Sequence, residues 1–541
     1  MKKEIRVILP VLISSLVVAF FVWLLYIRLN NLNWDEAFHL YWTYQIYDSL
    51  KMGDFANFWN VTLQETFYPP FQSWVLSIPA LMFGFSIVKV RIYWLFWLVL
   101  SSILIFIVTK KISRSLVMSD NESTISGYGA VFFLLTSPMV LFMSSMAMKE
   151  MMGMGIFLII ILTYFIARER RNPLLFLLVS LELFIAIMAK YNYGVLLTMI
   201  LGLETAVTFI FCKKRLETIL TGVLMFLPFL LLTLGWIFWP ENKLERFLGV
   251  LQNSNPVSAG MSDTIGYLLF YPRAIIYMYS FTPLIGIFLL LSIFLSFLYI
   301  KNFRVRVLLI GVIINITLAT YSLWNEQERY IFPVIQFLFI LGGITLGLIL
   351  FRVRKISGEK SYKLVQLGLF FLFLVIFAKD IISLPSYVYS VGAYTARSPV
   401  FNQTDYKDLF YEYNVSKWPK KLPEGEFSKP SEVLKWVTSN VDLSKPVQVV
   451  GQAAELAPDY FNLEFSIHKR SGEYPKIEGY SYFFVTLEIL PNSKFYGWDY
   501  KKFNSYVETY IKQVQEDKSL TLLKEKMFDE LGVRVKIYGK K

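Results

Sequence analysis

Runs of about 18 or more apolar residues recur through the first two thirds of this 541-residue chain, and nothing else in it narrows the fold so far. In hydrocarbon a backbone has no water to bond, so each run must close its own hydrogen bonds as a helix. Charged residues make up 17% of the chain, against about a quarter in soluble domains, and 55% is hydrophobic. The chain reads as a polytopic α-helical membrane protein with about eleven spans. The first run extends from a basic start (Lys2, Lys3, Arg6) to about Ile27. It is long for a signal sequence and ends without a small-x-small cleavage site, so an uncleaved first span is expected.

The net charge of +13 would suit nucleic acid if it were pooled in one domain. It is instead clustered between apolar runs, as topogenic charge is, and no nucleic-acid partner is expected. Clusters at Lys110-Lys111-Arg114, Arg168-Arg170-Arg171, Lys213-Lys214-Arg215, Lys301-Arg304-Arg306 and Arg352-Arg354-Lys355 mark the inner side. With the N-terminus inside, Asp35, Glu150, Lys190, residues 240–270 and residues 325–329 fall at the outer boundary. This parity requires residues 70–86, apolar but short, to be re-entrant or interfacial. The plasma membrane is the expected location. Cys212 is the one cysteine and His39 and His468 are the two histidines, so an intrachain disulfide and a Cys/His metal site are both excluded.

Two domains are expected. Residues 1–385 would form the membrane part, with a first outer loop at 28–70 rich in aromatic residues that suit an interface. Beyond Pro385 long apolar runs stop, and residues 386–541 read as an extracytoplasmic α/β domain. Its expected elements are a helix over Ser431–Val441, strands at 446–451 and 482–487, a helix over 500–517 and a closing strand at 533–538. It carries no nucleotide-binding glycine motif.

Four polar spots fall at the outer boundary. Asp35 and Glu36 are adjacent carboxylates, set about 100° apart if helical, so one can take a proton while the other orients a partner. They could equally be acids at a helix start, capped by Asn33. Glu150, beside Lys149, interrupts an apolar stretch; such groups line polar cavities or snorkel to water. Lys190 lies at an outer turn, against the positive-inside bias, where an ammonium can meet a lipid phosphate or serve as an ordinary turn residue. Arg329 opens a late span, where its fork of donors could hold phosphate or pair with Glu326 or Glu328. Acids to deprotonate a hydroxyl and cations to hold a phosphate leaving group suit transfer from a phosphate-activated lipid.

The order of these signals resembles the C-type integral-membrane glycosyltransferases, the group of protein O-mannosyltransferases and lipid A aminoarabinose transferases. The resemblance covers roughly residues 1–385. It rests on Asp35-Glu36 in the first outer loop and on the double proline in Tyr68-Pro69-Pro70-Phe71. Gly84, an arginine-headed span at Arg91, the stretch from Thr136-Ser137-Pro138 to Glu150, an outer turn at Lys190 and Arg329-Tyr330-Ile331-Phe332-Pro333 complete it. Many relatives carry Lys or His where this chain has Tyr68, Asp where it has Glu150, and Gly where it has Tyr191. The resemblance implies inverting transfer from a polyprenyl-phosphate sugar to a lipid, glycan or protein acceptor. It implies Asp35 as base, Glu36 and Glu150 as supporting acids, and Lys190 and Arg329 as phosphate holders. Substrate contacts would come from His39, Tyr68, Pro69, Pro70 and Tyr330. It fixes no cofactor and leaves room for a divalent cation, for which the sequence has no dedicated cage. Two other readings stand beside it: a lipid transporter or flippase, which should show paired repeats and broken mid-membrane helices, and a non-catalytic membrane protein with a partner-binding tail.

Overall fold

The computed structural model describes residues 2–25, 34–65, 68–116, 118–211, 215–238, 264–280, 282–322, 328–397, 429–450, 463, 480–490, 508–509, 511–529 and 531–540. Asn33, the Lys213-Lys214 pair, residues 240–263, Glu326, residues 500–507 and His468 lie outside them, as does the side chain of Asp35.

The first helices are α1 (Lys2–Leu25), α2 (Trp34–Lys51), α3 (Phe55–Gln64), α4 (Phe71–Phe83), α5 (Ile87–Trp94) and α6 (Phe96–Ser115). Next come α7 (Asp120–Leu135), α8 (Pro138–Ser144), α9 (Lys149–Arg170), α10 (Pro173–Ala189), α11 (Tyr191–Phe211) and α12 (Arg215–Phe238). Further helices cover Thr264–Tyr277, Pro283–Ser296, Phe303–Ser322 and Phe332–Arg397, the last broken at Gly358, whose φ of 79° no L-residue adopts easily. Among the described residues seven helices are long and apolar enough to cross a membrane, or eight if the bent pair α7–α8 is one span. The shortfall from eleven lies in α10 and Pro283–Tyr299, apolar but shorter, and in the limb of the last helix beyond Gly358. Residues 70–86, expected as a short non-spanning segment, contain the 13-residue α4. This is an integral membrane protein.

The chain resolves into two compact units. One contains residues 1–24, 62–72 and 92–384; the other contains 25–61, 73–91 and 385–541.

Helix ends in the first unit follow local chemistry. Ser119 caps α7 by accepting from the Glu122 N–H, and Asn172 and Thr282 each cap a helix that opens on proline. Small residues let helices meet. A Cβ at Gly343 or Gly347 would strike α7 around Ser126 and Ala130, and one at Gly155 would overlap the Trp97 ring. At the ends carrying the basic clusters, buried Glu204 takes a two-point fork from Arg306 at 2.6 and 2.7 Å. Glu169 bridges Lys111 and Arg304.

In the second unit the tail forms a four-stranded sheet in the order β1-β2-β4-β3, with β1 (Val447–Val450), β2 (Tyr482–Ile489), β3 (Leu520–Phe528) and β4 (Val533–Lys540). β1 runs parallel to β2, and the other pairings are antiparallel. Period-two alternation gives β4 one face of Val533, Val535 and Ile537, all fully buried, in register with Ile489, Leu487 and Val485. The helix Lys429–Thr438 joins this face through Trp436 against Phe528 at 6.1 Å. On the opposite face Ile511 and Val514 pack with Val450 and Tyr538. Burial raises the Tyr538 phenol above its ordinary pKa. The helix expected over Ser431–Val441 and the three expected strands are present within a few residues, the described part of the helix expected over 500–517 is helical at 508–509 and 511–516, and β3 is an addition. Its Lys524-Glu525-Lys526 centre is exposed and the strand bulges between Leu522 and Lys524, as suits an edge strand.

Candidate active site

The second unit positions the acidic pair. Asp35 and Glu36 occupy the first turn of α2, where carboxylates suit the positive end of a helix. Glu36 is fully buried and forked by Arg91: Nε donates to Oε1 at 2.8 Å and Nη2 to Oε2 at 2.6 Å. Both partners are withdrawn from water, so this pair ties α2 to α5. Glu36 is thereby committed to holding the helix that carries Asp35. His39, one turn on, is also buried, and its carbonyl accepts the Thr43 hydroxyl at 2.8 Å. Tyr44 and Tyr47 pack on Phe85, just past Gly84, whose φ of 87° turns the chain out of α4.

The first unit positions the cations. The loop between α8 and α9 is held by two bonds: the Trp94 indole donates to the Met148 carbonyl at 2.7 Å, and Gln72 donates to the Ala147 carbonyl. α9 then opens on Lys149 and Glu150, both about 1% exposed. The Lys149 ammonium donates to the Pro69 carbonyl at 2.8 Å and stands 5.1 Å from the Tyr68 ring centroid. Lys190, between α10 and α11, lies 3.2 Å from Glu150 Oε1, 5.9 Å from the Tyr68 centroid and 5.3 Å from the Tyr193 centroid. Buried Glu65 acts electrostatically on Lys149, and Glu150 and Arg329 both act on the Tyr193 phenol.

Three basic side chains (Lys149, Lys190, Arg329) and two carboxylates (Glu65, Glu150) thus act on one another within one region of this unit, where Lys149 and Lys190 stand over the rings of Tyr68 and Tyr193. Such rings complement ammonium groups through their negative faces. These basic groups, next to the positive end of α9, suit an anion. Pro69 contributes a carbonyl and Pro70 is buried. Tyr330 offers its carbonyl to Asn315 at 3.3 Å. Among the described residues no three His, Cys, Asp or Glu side chains gather closely enough to hold a metal ion.

The structure pairs Glu150 with Lys190 across forty residues of sequence, and Glu36 with Arg91 across fifty-five. Sequence reasoning did not single out Glu65 or Tyr193, and it noted Lys149 only as a neighbour of Glu150. A lysine at the boundary reads as a snorkelling group, and only packing reveals that its ammonium turns back onto the double proline.

The fold has counterparts among solved membrane-protein structures. ArnT from Cupriavidus metallidurans bound to undecaprenyl phosphate superposes with a TM-score of 0.52, at 16% identity over 97% of each chain. Apo ArnT from the same organism gives 0.51, at 14% identity and the same coverage. No protein-family model and no curated protein sequence matches the chain.

Proposed function

We propose that this protein transfers a sugar from a polyprenyl-phosphate donor to a hydroxyl of an envelope lipid, glycan or protein, with inversion. The observation that carries the reading is the cluster of basic side chains in which Lys149 and Lys190 stand over the Tyr68 ring and Lys190 also over Tyr193, on which Arg329 acts electrostatically. It stands within a fold that in ArnT binds undecaprenyl phosphate.

In the proposed step Asp35 accepts the proton of the acceptor hydroxyl. The oxygen attacks the anomeric carbon from the face opposite the phosphate. The carbon–oxygen bond to phosphate breaks, and its electron pair leaves with the polyprenyl phosphate. The charge developing on that group is met by Lys190 and Arg329, with no reorganisation needed as it forms. Glu36, locked by Arg91, positions Asp35; Glu150 sets the position of Lys190. His39, Tyr68, Pro69, Pro70 and Tyr330 are assigned to the walls that substrate meets.

Lys190→Ala should weaken binding of undecaprenyl phosphate by about tenfold or more, the loss of one charge-assisted contact. Titration of purified protein with that lipid in detergent measures it; an unchanged affinity removes Lys190 from the donor site. The proposed topology places the N-terminus inside and residues 386–541 outside. In a Cys212→Ser background, Asn121→Cys and Ile356→Cys should resist an impermeant thiol reagent in intact cells, while Asn60→Cys and Glu432→Cys react. Reaction of all four from outside contradicts this topology.

A further inference from the structure

We propose that the Tyr193 hydroxyl is a direct hydrogen-bond donor to the phosphate of the lipid-linked donor, an assignment that rests on the donor reading above. Tyr193 is 2% exposed, yet its Oη has no hydrogen-bond partner among the described residues. A buried phenol normally finds a partner, and the aromatic body alone could have been supplied by phenylalanine.

The ring cannot swing away to relieve that unmet bond. A Cβ at Gly153 would overlap it, so α9 presses its bare backbone against one side. Phe157, one turn further along α9, meets it edge-on at 5.9 Å and 87°. The hydroxyl is therefore held fixed. Its surroundings describe the ligand. The Lys190 ammonium lies 5.3 Å from the ring centroid, and the charges of Arg329 and Glu150 act on the phenol. Glu150 Oε2 also has no partner among the described residues, although Oε1 is taken by Lys190. An O–H donor left open beside an ammonium, within electrostatic reach of a guanidinium, fits an oxyanion that accepts from the phenol. A phosphate monoester or diester has the oxygens for this, and a free lipid alcohol does not.

The test uses the full-length protein in detergent, with undecaprenyl phosphate and undecaprenol as probes in parallel titrations. Wild type should bind the phosphate more tightly than the alcohol. Tyr193→Phe should lose about tenfold in affinity for the phosphate and nothing for the alcohol. Its melting temperature should match or exceed that of wild type, because the group removed has no partner to lose. Gly153→Ala, which displaces the ring, should reproduce the selective loss. Tyr193→Phe that binds undecaprenyl phosphate as wild type does overturns the assignment while leaving the donor reading in place. So does a fall in melting temperature with equal losses for both lipids, which marks a purely structural hydroxyl. Wild-type protein that does not distinguish phosphate from alcohol overturns both.

Discussion

Asp35→Asn protein in proteoliposomes should bind undecaprenyl phosphate as wild type does and yet lose transfer by about 10²–10⁴-fold, the usual contribution of a positioned general base. Asparagine matches aspartate in shape but cannot take a proton from the incoming hydroxyl. The residue stands in the first turn of α2, beside a glutamate whose oxygens are both engaged by Arg91. Of the two adjacent acids, only Asp35 is therefore assigned to proton transfer. Release of polyprenyl phosphate from its sugar-loaded form, followed by chromatography with an envelope extract as acceptor, measures turnover. Transfer at the wild-type rate removes Asp35 from the mechanism. Loss of donor binding in step with loss of turnover gives it a binding role instead.

Arg91→Met should be the most destabilising single change in the second unit. The Glu36–Arg91 pair is withdrawn from water, and removing the arginine takes the two-point ion pair from a buried carboxylate, at a cost of about 3–5 kcal/mol. Thermal unfolding in detergent should show a large drop in melting temperature for Arg91→Met. The double variant Glu36→Met/Arg91→Met should recover most of it, since well-packed apolar groups can stand in for a buried ion pair. Transfer should not recover in the double variant, because the fork that fixes the start of α2 is gone. A single variant that melts like wild type would show that the pair carries little. A double variant with full transfer would mean that Asp35 needs no such brace.

How far the sequence led can be judged from particular residues. Apolar runs located the spanning helices, since lipid permits few alternatives to a helix. The clipped ends of α10 and Pro283–Tyr299 are where length alone cannot separate a span from a shorter apolar helix. Within the candidate site, Glu150 and Lys190 stood out in the sequence because an ionisable group at membrane depth is costly and therefore conspicuous. Arg91 was visible as the head of a span, but its pairing with Glu36 was not, because a fork across fifty-five residues is a tertiary fact. Tyr193 was hidden by company: in Tyr191-Asn192-Tyr193 it reads as an interfacial aromatic. Its meaning depends on Gly153 in another helix. β3 escaped for a related reason, because an edge strand exposes its charged centre and so lacks the alternation that marked β4.

The central claim is that this chain holds a lipid-linked sugar by its phosphate. Mass spectrometry of lipid carried through purification, on wild type and Asp35→Asn side by side, tests it most directly. The account predicts polyprenyl phosphate with the wild type and its sugar-loaded form enriched on the Asp35→Asn variant, where turnover is blocked. Bulk phospholipid alone on both proteins, with no displacement when undecaprenyl phosphate is added in excess, would contradict it.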